Sequence, residues 1–162
     1  MDFTKFLCGV AMVAATLTFT AEANAFPSFG RRVVSIGGDH GGRIIDYALR
    51  MKKFERAGSH MRFAGRCDSA CTLYLALPRS RTCVSPGASF GFHLPTGASP
   101  RASRIAAHYM MRNYPGWVRS WIAANGGLTY RVKTMGYAYS SRFLPSCGGT
   151  QIASNETQIR VR

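Results

Sequence analysis

The sequence predicts an α/β domain with a mainly parallel sheet and flanking helices, on three observations. An apolar run from Val33 to Ile36 is followed by a glycine-rich turn, a helical stretch from Arg43 to Arg56 and a second apolar run from Met61 to Ala64. Strand, helix and strand in that order imply a right-handed crossover and parallel pairing. Two more strand-like runs, Arg81 to Val84 and Ala88 to Phe92, flank Ser85-Pro86-Gly87 and precede a helical stretch from Ala102 to Asn113. A chain of 162 residues with this aliphatic and aromatic content can bury one core without a metal.

The elements follow in order. Ile44, Ile45, Ala48, Leu49 and Met51 give the first helix an apolar side, and Gly58 closes it. Ala70 to Leu77 is a helix-like run ended by Pro78, and Thr96 to Pro100 is a loop of turn formers. Pro115 to Ala124 forms a helix bearing Trp117 and Trp121, closed by Asn125-Gly126-Gly127. With Tyr114, those tryptophans stand three and four residues apart, which suits core packing or a subunit contact. Leu128 to Met135 reads as a short third helix, and the stretch after Gly136 as irregular.

Residues 1–25 read as a secretory signal peptide. Lys5 gives a positive start, Phe6 to Phe19 an apolar stretch, and Ala23-Asn24-Ala25 a small-residue cleavage site. The expected organisation is thus a leader, an α/β domain over 26–153 and a polar flexible tail over 154–162, in a periplasmic or secreted protein. Cys8 lies in the leader and leaves four cysteines, which in an exported protein imply two disulfides. Reach favours Cys71 with Cys83, leaving Cys67 with Cys147, while Cys67 with Cys71 across the intervening turn stays open.

The formal net charge is +14. Beyond the leader the only acids are Asp39, Asp46, Glu55, Asp68 and Glu156. Such an excess favours contact with an anionic envelope polymer or a membrane surface. Arg101, Arg104, His108 and Arg112 recur at helical spacing as one basic stripe, which Arg119 extends. Nucleic acid is disfavoured, because no oligonucleotide-binding pattern accompanies the aromatics. His40, His60 and His108 are singletons without ligand spacing, so no metal is expected. The turn Gly37-Gly38-Asp39-His40-Gly41-Gly42 lacks a Gly-Lys-Ser/Thr ending and dinucleotide spacing, so no cofactor is expected either.

Chemistry concentrates in Gly65-Arg66-Cys67-Asp68-Ser69-Ala70-Cys71 and in Gly91-Phe92-His93-Leu94-Pro95. A serine at a strand-to-helix turn exposes its hydroxyl, and the next amide, Ala70, points where an oxyanion forms. His93 follows another strand-like run and completes a nucleophile-and-base pair.

Read outward from these residues, the chain resembles the ClpP/crotonase superfamily, and most closely its small exported ClpP-like members with a Cys-x-Ser-Ala-Cys box. The likeness rests on Gly41-Gly42 before a helix, Ser69 in its box, His93-Leu94-Pro95 and Arg142-Phe143-Leu144, covering roughly 33–145. It implies repeated β-β-α units, Ser69 as nucleophile, His93 as general base, and Gly42 (less readily Gly41) joining Ala70 in the oxyanion hole. Where the family places its triad aspartate this chain has Ser141, which can orient a ring nitrogen but brings no charge. Asp68 could substitute only by reaching back to the histidine. The resemblance thus implies an exported serine hydrolase of peptidase type. A peptide-binding scaffold without catalysis, or a polyanion-binding envelope protein, are the alternatives. Relatives form trimers or rings, but no handle region matches here, so assembly is not carried over.

Overall fold

The computed structural model describes residues 32–97 and 99–148, with the backbone of 159–160. The expected leader and most of the expected tail lie outside the described residues. The chain is α/β, with strand pairs alternating with helices. β1 (Val33–Ile36) leads to α1 (Ile44–Arg56), then β2 (His60–Phe63) and β3 (Arg66–Asp68) lead to a 3₁₀ helix over Ser69–Ala76. A short 3₁₀ turn, Arg79–Arg81, enters β4 (Thr82–Val84) and β5 (Ser89–Phe92), followed by α2 (Pro100–Asn113) and α3 (Gly116–Ala124). β6 (Lys133–Gly136), α4 (Tyr137–Ser140) and β7 (Ile159–Arg160) complete the order.

Two sheets form, rather than one. The first is parallel throughout in the order β4-β2-β1-β7, and the second, β3-β5-β6, joins a parallel and an antiparallel pair. The chain leaves β1 and β2 for the second sheet at Gly37 and Gly65. A Cβ on Gly65 would stand 3.1 Å from the Gly37 Cα, and past that crossing the Gly38 and Asp39 amides bond the Arg66 carbonyl. The strands Val33–Ile36 are buried on both faces, as parallel strands covered by helices are. Phe63 of the first sheet meets Phe90 of the second edge-on, ring centroids 5.0 Å apart, and joins the two layers.

Several expectations change. Lys133–Gly136 is a strand, not part of a helix, because pairing with β5 overrides the weak helical spacing of 128–135. Gly136 opposite Ser89 is followed by a short helix where irregular chain was expected. Ile159–Arg160, placed in the tail, pairs with β1. α1 buries Tyr47, Ala48, Met51 and Phe54, while Ile45 and Leu49 face solvent. Tyr114 is buried, Trp117 stacks on Phe143 and Trp121 packs on Phe92.

The favoured cysteine pairing is overturned: the disulfides are Cys67–Cys71 and Cys83–Cys147. β4 does not return along the 3₁₀ helix towards Cys71, since it hydrogen-bonds to β2. Its other flank meets 145–147, with Val84 N–H donating to the Pro145 carbonyl and Cys147 N–H to the Val84 carbonyl. Loop length decides which bridge matters for stability. Cys83–Cys147 spans a sequence separation of 64, Cys67–Cys71 one of 4. Chain entropy assigns them about 4 and about 2 kcal/mol. Denaturant unfolding of Cys83→Ser/Cys147→Ser is therefore expected to show the larger loss of the two double variants.

Candidate active site

β3 and β5 are parallel neighbours with Asp68 opposite Gly91, so Ser69 and His93 both leave the carboxyl ends of adjacent strands. Open α/β sheets bind ligands at that end. Ser69 has φ of +54°, the only positive φ outside glycine among the described residues. Such a backbone costs an L-residue roughly 1–2 kcal/mol, so the surroundings must hold it.

Three contacts do. The disulfide Cys67–Cys71 brackets the turn, its Cα atoms 5.4 Å apart. Thr72 donates its hydroxyl proton to the Ser69 carbonyl at 2.5 Å, so Tyr114, 2.5 Å from the same hydroxyl, must donate to Thr72. Burial pushes the Tyr114 phenol pKa up, keeping that donor protonated. Gly41 closes the third side: a Cβ there would lie 2.7 Å from the Ser69 Cβ and 2.9 Å from the Ala70 nitrogen. Because glycine tolerates positive φ, Ser69→Gly is expected to be about 1 kcal/mol more stable than Ser69→Ala in thermal melts.

The amides near Ser69 divide by what they already bond. Gly41 N–H donates to Asp39 Oδ1 at 2.8 Å, and Tyr47 donates to the same oxygen at 2.5 Å. Burial, then that bond to Asp39, push the Tyr47 phenol up to about 12. Gly41 therefore spends its donor on Asp39, while the Gly42 amide meets no acceptor among the described residues. Ala70 is the second residue of the 3₁₀ helix, where amides lack an intrahelical acceptor.

His93 is half-buried, and its Nδ1 lies 2.8 Å from the Leu94 carbonyl oxygen. A carbonyl only accepts, so Nδ1 carries the proton and the neutral ring leaves Nε2 as a base. No hydrogen bond joins His93 to Ser69 among the described residues. Such bonds are often long before substrate binds. Ser141 follows α4, which begins beside Ser89 at the amino end of β5, about 13 Å along the strand from His93. It makes no hydrogen bond to His93 among the described residues.

Asp68 does not reach back to His93. Its carboxylate accepts from Arg66 Nε and stands 3.3 Å from His40 Nδ1, on the outer face of the second sheet. A Cβ on Gly91 would collide with Asp68 Oδ1, a buried oxygen with no hydrogen-bond partner among the described residues. His40 was set aside in the sequence as a singleton. The signal for this cluster was strand alternation: residues 66 and 68 share a face, and Gly91 across from Asp68 leaves it room. Among the described residues no group of three or more His, Cys, Asp or Glu side chains could hold a metal. No protein-family model matches the chain, and no curated protein is significantly similar to it.

Proposed function

We propose that this protein is an exported serine hydrolase of ClpP/crotonase-like type, cleaving peptide or ester bonds through Ser69. The observation that carries the reading is the strained Ser69 turn, held against Gly41 at the carboxyl end of β3. In the proposed reaction His93 Nε2 removes the Ser69 proton as Oγ attacks the carbonyl carbon. The amides of Ala70 and Gly42 stabilise the resulting oxyanion, and protonated His93 returns the proton to the leaving group. The Leu94 carbonyl fixes the His93 tautomer, the orienting part of a triad acid's role, but supplies no charge for the imidazolium. Slow turnover is therefore expected, since loss of the acid costs about four orders of magnitude in a well-studied protease. Export disfavours coenzyme A thioesters and leaves peptides or esters as substrates. The two disulfides and the absence, among the described residues, of a helix long and apolar enough to cross a membrane suit a periplasmic or secreted protein.

A fluorophosphonate probe tests the reading: the parent should label and Ser69→Ala should not. A second reading is favoured by the missing hydrogen bond between Ser69 and His93. In it the same cleft holds an extended peptide without cleaving it, and no labelling from mildly acid to alkaline pH would select it.

A further inference from the structure

Between Asp68 and Glu156 the chain contains no acidic residue, so the cations of that stretch have no carboxylate nearby in sequence. On α2, Arg101, Arg104, Ile105, His108 and Arg112 are all exposed. At about 100° per residue they fall in one stripe roughly 100° wide, opposite the buried Ser103 and Met110. Among the described residues none of these arginines forms an ion pair. Ile105 flanks the stripe, within one turn of Arg101, Arg104 and His108, and is 62% exposed.

α1 repeats the pattern. Ile45 and Leu49, one turn apart, are 54% and 63% exposed, and their face continues into Lys52 and Arg56. The acids of α1 stand to either side of this face, Asp46 beside Arg43 and Glu55 on Lys52. Both helices pack on the 3₁₀ helix, and Lys52 and Arg112 line one groove between them. The two faces approach each other at the carboxyl ends of the helices, where Glu55 also lines the groove.

Singly exposed aliphatics are ordinary on a protein surface; what sets Ile45, Leu49 and Ile105 apart is their placement among cations on two helices that flank one groove. Aliphatics set among cations are the arrangement of a helix lying in a lipid interface, with apolar side chains at the acyl boundary and cations at the phosphates. We propose that the α1–α2 face docks on an anionic lipid surface. Ile45, Leu49 and Ile105 enter the headgroup–acyl boundary, and the α2 arginines pair with lipid phosphates. This inference does not depend on the chemistry of Ser69.

The test uses protein recovered after export, its N-terminus read by mass spectrometry, and co-sedimentation with vesicles. Binding is expected to phosphatidylglycerol–phosphatidylcholine vesicles and to weaken as salt rises, with little binding to phosphatidylcholine alone. Arg104→Glu should weaken it at least fivefold, and Ile105→Ser roughly tenfold, with circular dichroism unchanged. Binding to soluble polyphosphate should be insensitive to Ile105→Ser. Equal binding to neutral vesicles, no binding to anionic ones, or an Ile105→Ser variant that binds like the parent would each overturn the proposal. The last result, with Arg104→Glu weakened, would assign the face to a soluble polyanion.

Discussion

Gly41→Ala is expected to abolish labelling of Ser69 and to destabilise the fold in the same variant. The new Cβ would stand 2.7 Å from both the Asp68 carbonyl oxygen and the Ser69 Cβ, neither of them the end of a flexible side chain. Gly41 also has φ of +81°, which alanine adopts only at a cost. Overpacking and backbone strain together amount to about 3 kcal/mol, measurable by denaturant unfolding. The neighbouring Gly42→Ala is the control. Its Cβ would meet only the Tyr47 ring, at 3.5 Å, so stability should fall by less than about 1 kcal/mol. A Gly41→Ala protein that labels at the parental rate would show that this contact does not shape the nucleophile turn.

Replacing His93 by Gln should slow labelling of Ser69 by about 10²–10⁴-fold, the usual contribution of a positioned base. Stability should barely move, because the His93 side chain is only half-buried and its bond goes to the adjacent residue. Ser141→Ala is expected to leave the rate within about twofold, since the tautomer is set by the Leu94 carbonyl. Time courses of probe incorporation separate these outcomes. A large loss in Ser141→Ala would return that residue to the site, and an unaffected His93→Gln would remove the imidazole from it.

Much of the frame was legible because it is local. The apolar runs around 33–36, 60–63 and 89–92 have only one way to be buried, and Pro78 and Pro115 punctuate the helices where the structure ends or starts them. What was not legible was pairing. The split into two sheets depends on Gly37 and Gly65 meeting across 28 residues of chain, which no periodicity announces. The disulfides followed from that split, because Cys83 lies on a strand whose free flank receives the 145–147 segment. β6 failed for a related reason: a short run takes the form its neighbour offers, and β5 offers an edge.

The candidate site was legible as far as chain neighbours carry it. Ser69, Ala70 and the Gly41-Gly42 turn sit in boxes whose residue types declare a tight turn, and the structure brings Gly41 against Ser69. The role sought for Ser141 could not be located from sequence, because orientation of His93 comes from a backbone carbonyl that every residue possesses. Asp68, considered as a substitute for the triad acid, does not take that role: its side chain alternates onto the outer face, towards Arg66 and His40.

The most direct measurement is a crystal structure of the protein after reaction with a fluorophosphonate. The account predicts phosphorus on Ser69 Oγ, the phosphonyl oxygen about 2.7–3.1 Å from the Ala70 and Gly42 nitrogens, and His93 Nε2 turned towards Oγ. An adduct on any other residue, or a phosphonyl oxygen directed into solvent with His93 turned away, would contradict it.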